Sequence, residues 1–460
     1  LPLKSNALFY PIQSELEVSL SKVGKRDMLI TSLPIAGSNL LDFVFLIIDP
    51  LFIAGKGEIA INTLEISNQI LFCLNYIVLG VVSGNNIFFA RLSKIRDNTN
   101  YEINSIFQIS LYITLTAVVL FSTSCFFFPY KVIAIFTRDI IILTTGSNFL
   151  KIYSLSWLWY SLSLLFIGIL RCNHKNKVVL YVASIIFVMK VVFNFLLISD
   201  MDFAGLATST LYVRIVECLL YSYLVLKKYK IIQLKHFHFK QNKVNLTIYL
   251  KKTIPIIINE VIWSVGFSII TIFFSQMGVS IYAAFSIYNL AKKISGFWGQ
   301  AIITACSIYL GNAIAIGSSK TIAEFIDEIF KVTIVTSAFT GLLTILTGKI
   351  LLLFYDIDIL TLGYTSQFII VGGAVEFFRI MASMNTMGIL RAGADTKFVM
   401  LNDFIFLWIF EIPVGFILIS YFNIPVIILF TILNSEHLLK YISSSFRIKS
   451  NKWINSLEIP

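Results

Sequence analysis

Charged side chains recur inside stretches of this sequence that are otherwise apolar, and their types and spacing suit ion binding more than bond breaking. Asp42 and Asp49 lie in the run Leu29–Ala54, and Asp49 is followed by Pro50. A proline nitrogen cannot donate to the carbonyl four residues back. The Leu46 carbonyl is therefore left free beside the Asp49 carboxylate, a pairing suited to a cation or a water. Arg214 and Glu217 stand three residues apart, as do Glu376 and Arg379, the spacing of neighbours on a helix face. Lys190, the adjacent Lys292 and Lys293, and Glu411 occupy further apolar runs, and Asn39, Asn68 and Asn194 add neutral polar groups. Asparagines in such runs more often bond helices together than bind ligand. A charge in hydrocarbon costs about 3 kcal/mol even on lenient scales, so each needs a partner or a task. Enzyme chemistry is not expected: there is no H-E-x-x-H, G-x-S-x-G or G-x-x-x-x-G-K-[ST] segment, so metal-assisted, acyl-enzyme and ATP-driven reactions have no site. Any work done by these charges must draw on an ion gradient.

The elements that position them follow from composition. Hydrophobic residues make up 57% of the chain and charged residues 13%, and mean hydropathy is +0.84. Apolar runs of about twenty residues match a helix crossing a hydrocarbon core. An all-α polytopic membrane protein is expected, with twelve transmembrane helices at 29–54, 60–90, 104–134, 141–170, 178–198, 203–226, 254–277, 280–314, 328–354, 362–390, 398–421 and 424–445. The five cysteines are scattered without a C-x-x-C pair, which argues against a disulfide framework and a zinc site. The net charge of +11 is explained by orientation: Arg91, Lys94, Arg96, Arg171, Lys175, Lys177, Arg391, Lys397 and the lysines between 227 and 252 all fall on one side. Cytoplasmic loops carry that excess, so both termini are expected inside the cell and nucleic acid is not an expected partner.

The chain also repeats. A shift of 221 residues lays Pro34 on Pro255, Gly57 on Gly278, Ile66 on Ile287 and Asn68 on Asn289, and a shift of 220 lays Gly168-Ile-Leu-Arg171 on Gly388-Ile-Leu-Arg391. Six spans per repeat make the halves parallel. The expected organisation is an N-terminal tail over 1–28, a first lobe over 29–230, a basic linker over 231–252, a second lobe over 253–445 and a C-terminal tail over 446–460.

Several ordered motifs carry a family resemblance. They are Leu33-Pro34 followed by Ile48-Asp49-Pro50-Leu51-Phe52-Ile53-Ala54-Gly55, Ile254-Pro255 followed by Glu260, Gly388-Ile-Leu-Arg-Ala-Gly-Ala-Asp395-Thr-Lys397, Gly311-Asn312 through Gly317, and Val192-Phe193-Asn194 with Ala204-Gly205-Leu206-Ala207-Thr208. Together they resemble the multidrug and toxic compound extrusion (MATE) transporters over nearly the whole chain after residue 28. The resemblance implies two six-helix lobes and efflux of amphipathic organic cations by antiport with H⁺ or Na⁺. Asp49 and Glu260 are the cation-coupling candidates it implies; Glu376 is a third candidate, although counting from the Gly-Ile-Leu-Arg turn places the family's span-ten acid near Arg379. Asp42, Asn39, Asn194, Lys292, Lys293, Arg379 and Glu411 are candidate cavity or network residues, and a Na⁺ ion would sit near Asp49 or Glu260. Simpler roles stay open: Asp49 as a helix-end cap, Glu260 as partner of a nearby lysine, and Glu376–Arg379 as a structural pair. Arg214 and Glu217 are expected to pair, with Lys190 snorkelling or joining them. Trp157, Tyr160 and Trp263 are candidate cavity aromatics. The chain departs from relatives at Ile198, where some carry an acid, and at Ala90-Arg91-Leu92-Ser93 after span two. A lipid-linked oligosaccharide flippase of the same superfamily is the alternative. No cofactor beyond the coupling ion is expected. The expected partners are a small-molecule substrate and the bilayer of an inner cell membrane, with the chain acting as a monomer.

Overall fold

The computed structural model describes residues 25–53, 58–95, 100–137, 139–233, 243–316, 319–355, 357–422 and 424–455. No strand occurs among them. The helices are α1 Lys25–Ile53, α2 Glu58–Ile95, α3 Asn100–Phe127 and α4 Ile140–Cys172, then α5 Asn176–Ser199 and α6 Phe203–Lys228. The second half continues with α7 Lys243–Gln276, α8 Val279–Ile316 and α9 Ser319–Leu351, then α10 Ile359–Leu390, α11 Thr396–Tyr421 and α12 Val426–Lys449. Eleven of them, among the described residues, are long and apolar enough to cross a membrane. The remaining one, α8, has 38 residues and is made more polar by Lys292, Lys293, Gln300 and Asn312. Ile359 and Val279 leave 89% and 87% of their surface uncovered, which water would penalise and lipid does not. The chain is a multi-pass membrane protein.

Helical geometry is unbroken from Asn176 to Tyr223, yet α5 and α6 lie antiparallel. Tyr221 Oη donates to the Val179 carbonyl at 3.2 Å and Lys190 Nζ to Ser209 Oγ at 3.2 Å, pairs centred near residue 200. Gly205 makes the hairpin possible, because a side chain there would run into the Leu197 carbonyl. The α7–α8 turn uses Gly278 at φ 119°, backbone that a side chain would strain. Two helix starts are capped by an aspartate. Asp139 accepts from the Ile141 and Ile142 amides at 2.8 and 3.2 Å, and Asp358 accepts from the Thr361 amide at 3.4 Å, satisfying otherwise unpaired N–H groups. Hydroxyls are carried across hydrophobic helices by bonding back to their own backbone, as with Thr333, Thr336 and Ser337 of α9 at 2.6–2.8 Å.

Two compact units are formed. Among the described residues, the N-unit comprises Gly37–Phe88 and Asn100–Val265, and the C-unit residues 25–36, the end of α2 from Phe89, and the chain from Gly266 to 455. In the N-unit Leu64, Leu74, Phe149, Tyr153, Trp157 and Phe203 are buried together. In the C-unit one cluster is aromatic, with Phe274 and Phe285 stacked at 4.1 Å against Phe368 and Phe430. A second gathers Ile302, Met384, Leu390 and Trp453.

Helix ends extend past the expected bounds. Lys243, Lys251 and Lys252, read from sequence as linker, lie in α7, and α12 runs on to Lys449. Beyond it Trp453 is wholly buried, and the Asn455 amide donates to the Gly393 carbonyl at 2.9 Å. Arg91 donates to the Asn455 and Ala392 carbonyls at 2.8 and 2.7 Å. Arg447 pairs with Asp395 at 2.7 Å. The turn after α10, with Ala394 at φ 61°, is thus held by the end of the chain. The stretches 1–24, 234–242 and 456–460 of the expected tails and linker lie outside the described residues.

Candidate functional site

Asp49 lies near the end of α1 and is 4% exposed. Its Oδ1 receives two donors: Lys190 Nζ from α5 at 2.9 Å and Asn194 Nδ2 one turn further along α5 at 2.9 Å. Lys190 is fully buried, and its other protons go to Ser209 Oγ at 3.2 Å and Thr210 Oγ1 at 2.5 Å of α6. An ammonium has three protons to give, and all three have acceptors. Ser209 in turn donates to Asn194 Oδ1. The helix-end cap is therefore not what Asp49 does, because its carboxylate faces the α5–α6 hairpin. Lys190 neither snorkels nor joins the Arg214 pair. Its partner is Asp49, since the hairpin brings position 190 opposite 209 and 210.

Below this pair lies a second layer. Arg214 pairs with Glu217 at 2.7 Å as the i, i+3 spacing predicts, and its guanidinium is sandwiched between the Phe45 and Tyr160 rings at 4.1 and 4.0 Å. Lys190 also sits over Phe45 at 5.2 Å, so one ring touches both cations. Asp42 lies in the field of Glu217, Arg214 and Arg171, and Arg171 donates to Ser38 Oγ at 2.9 Å and Asn39 Oδ1 at 3.0 Å. Asn68 accepts from Tyr153 Oη at 2.9 Å. Trp157 is fully buried in the N-unit core, because its side of α4 faces protein.

Glu260 sits in the middle of α7, not near its start, because that helix begins at Lys243. It is 7% exposed and belongs to the N-unit, in the field of Tyr76, whose ring lies 5.6 Å from Trp263. Glu376 and Lys292 lie in the C-unit.

In the C-unit Glu376 is fully buried and holds the Arg379 fork at 2.6–2.8 Å. Lys292 stacks over Phe267 and Tyr288 at 5.1 and 5.4 Å within the field of Glu376, Arg379 and Glu411. Lys293 on the next position of α8 points outward and is exposed. Glu411 is 6% exposed and lies in the field of Glu436, Lys440 and Lys292. Lys440 bridges Glu436 at 2.8 Å and Asp403 at 3.1 Å, and His437 Nδ1 lies 3.2 Å from Glu436. Asp403, Glu436, His437 and Lys440 are absent from the residues that sequence reasoning singles out. The i, i+4 order of Glu436 and Lys440 in an apolar run is the signal that could find the last pair.

Two units of antiparallel membrane helices, each built around a buried cluster of opposite charges, describe a membrane transporter. The MatE family model matches residues 34–196 and again 255–417, and the chain belongs to this family of multidrug and toxic compound efflux transporters. The two matches begin 221 residues apart, the offset at which the sequence repeats. The chain is similar to the probable multidrug resistance protein NorM of Thermotoga maritima, 20% identical over 409 residues that cover 87% of each chain. Among solved structures it resembles a point mutant of the Vibrio cholerae MATE transporter VcmN, with a TM-score of 0.84, 10% identity, and 95% of this chain and 99% of that one covered. A MOP superfamily transporter from Pyrococcus furiosus, described as having a binding pocket of reverse polarity, matches with a TM-score of 0.81, 13% identity and coverage of 95% and 98%. At these identities the solved structures establish the fold alone. The oligosaccharide-flippase alternative is not favoured by these findings.

Proposed function

We propose that the chain exports amphipathic organic cations by antiport with H⁺, through alternating access of its two lobes, with Asp49 as the coupling carboxylate. The observation that carries this reading is the pairing of Asp49 with Lys190. A Na⁺ ion at Asp49 would need the oxygens of Asp49, Ser209 and Thr210, and the Lys190 ammonium already draws on all three. A proton makes no such demand. Protonation of Asp49 weakens its hold on Lys190, which keeps Ser209 and Thr210 as acceptors, and departure of the proton restores the pair. The Asp49–Lys190 contact then has two arrangements that differ by one proton, the requirement for coupling a gradient to a conformational equilibrium. Glu260, buried in the N-unit on α7, is the second coupling carboxylate in this reading. The arrangement of basic turns supports an inner-membrane orientation with both termini cytoplasmic.

The test is efflux of a fluorescent organic cation from proteoliposomes under an imposed H⁺ or Na⁺ gradient. The expected outcome is efflux driven by the H⁺ gradient, abolished in Asp49→Asn and reduced in Glu260→Gln. Efflux driven by Na⁺ alone would overturn the choice of ion, and efflux undiminished in Asp49→Asn would overturn the role of that residue.

A further inference from the structure

The lysines around the end of α6 take no part in the buried pairs. Lys227 and Lys228 fall in the widened last turn of α6, Leu224–Lys228, and Lys230 follows it. Lys175 and Lys177 stand at the start of α5, and all five are exposed. Two of them converge on one ring: Lys175 Nζ lies 5.0 Å and Lys228 Nζ 5.6 Å from the centre of Tyr229. An aromatic face holds ammonium groups in place and leaves their N–H donors for another partner. Residues 171–182 and 219–233 contain no acid. Against these lysines α3 sets one, Glu102, near its start.

Toward the membrane the same two helices present lipid-compatible faces. On α5, Tyr181, Ile185, Val188 and Val192 are exposed, at intervals of four, three and four that fall on one side of a helix. On α6, Leu219 and Tyr223 are exposed. Lys177 stands four residues before Tyr181 and Lys227 four after Tyr223, so each apolar face ends in a tyrosine and then a lysine. Tyr221 Oη donates to the Val179 carbonyl at 3.2 Å, which sets the two helix ends at one level. Tyrosine belongs at the boundary between hydrocarbon and headgroups, with lysine just beyond it. We infer that Lys175, Lys177, Lys227 and Lys228, with Tyr229 as platform, bind the phosphate of an anionic phospholipid whose acyl chains lie along the α5–α6 face.

The second half of the chain shows that the fold does not depend on these side chains. Its backbone repeats the first: His174 and Ala394, at a shift of 220, have φ 56° and 61°, and Lys230 and Asn451, at a shift of 221, have φ 52° and 56°. At the same shifts Lys175 is replaced by Asp395, Lys227 by Ile448 and Tyr229 by Ser450. Ile448 is buried, and Asp395 is taken by Arg447. One turn pair is thus closed by protein, while the other is left basic and aromatic. Membrane orientation asks for positive charge at this end, but not for two ammonium groups gathered on one ring. A headgroup phosphate does, because it offers several acceptor oxygens at one point.

Native mass spectrometry of the purified full chain with defined lipids reads the site directly. Phosphatidylglycerol should bind more tightly than phosphatidylcholine, by a margin that shrinks as salt rises. Lys175→Gln/Lys228→Gln should weaken phosphatidylglycerol binding about 30-fold, from the attraction that each lysine adds near a charged headgroup, and leave phosphatidylcholine unchanged. Tyr229→Leu keeps every charge and should cost about threefold. Lys397→Gln/Lys449→Gln removes the same charge from exposed positions of the second half and should leave binding as in wild type. If the first double variant does not fold, Lys175→Gln alone should lose about fivefold. Equal affinity for the two lipids overturns the inference. So does an equal loss in the two double variants, which would reduce the effect to net charge. Displacement of the lipid by inorganic phosphate alone would overturn the acyl-chain contact and make this a site for soluble phosphate. Efflux plays no part in this readout, so the site stands or falls apart from the coupling reading.

Discussion

Replacing Lys190 by methionine isolates the Asp49 pair. The side chain is fully buried, and methionine keeps most of its length while removing the ammonium, so the main change is an Asp49 carboxylate without its counter-ion. Removing one partner of a buried pair costs about 3–5 kcal/mol, mostly from the stranded charge. The loss at Ser209 and Thr210 is smaller, because both hydroxyls also donate to the Leu206 carbonyl, at 3.0 and 2.9 Å. Unfolding entropy of about 2.1 cal/mol/K per residue over 460 residues gives roughly 1 kcal/mol per degree, so Lys190→Met should lower the midpoint by about 3–5 °C. Asp49→Asn should cost a similar amount, for Lys190 is then stranded. The double variant removes both charges and should lie close to either single one, leaving a coupling energy of about 3 kcal/mol. Thermal unfolding of the four proteins in one detergent measures the cycle. Additivity within about 0.5 kcal/mol, the behaviour of sites that do not interact, would refute the pair as described.

Three further outcomes follow from other parts of the structure. Trp453→Ala empties a fully buried site against Gly393 and should cost about 3–5 kcal/mol, read as a lower melting midpoint and faster proteolysis beyond Lys449. Glu376→Gln strands Arg379, which is partly exposed and keeps some solvation, so the loss should fall at or below about 3 kcal/mol, measured in the same melt with Arg379→Met as the second arm of a cycle. At the start of α10, bonding to Thr361 holds the Asp358 carboxyl below the usual carboxylate range. A lowered folded value means that the cap acts fully above that range and fades as pH falls through the lowered value. Protection of the Thr361 amide from hydrogen exchange should follow that course and be lost at all pH in Asp358→Ala.

Much of this fold is legible in the residues alone. Twenty-residue apolar runs admit little besides membrane helices, and the Pro34–Pro255 register sets the period at which the family model matches twice. The pairs Arg214–Glu217 and Glu376–Arg379 can be read off because one helix turn separates them, so no tertiary information is needed. Lys190 defeats sequence reasoning for the opposite reason. Its partner lies on α1, and nothing local in α5 points there. Glu411 stands out as costly, yet its neighbours on α12 do not, since Glu436 and Lys440 look like an ordinary surface pair until the helix is placed inside the C-unit. Trp157 likewise carries no mark of which side of α4 faces protein. The amino-acid pattern supplies each charge and its cost of burial; which charges meet depends on helix packing that the pattern does not encode.

The distance along the chain between Asp49 and its partners has a consequence for how the protein is made. Asn194 is 145 residues beyond Asp49, an interval of roughly 7–30 s at about 5–20 residues per second of synthesis. For that time the first helix carries an acid whose counter-ion does not yet exist. Glu436 and Lys440, by contrast, emerge almost together. Release of α1 into lipid is thereby tied to the arrival of α5, making the order of insertion at the N-terminal half a matter of charge pairing as much as of hydrophobicity.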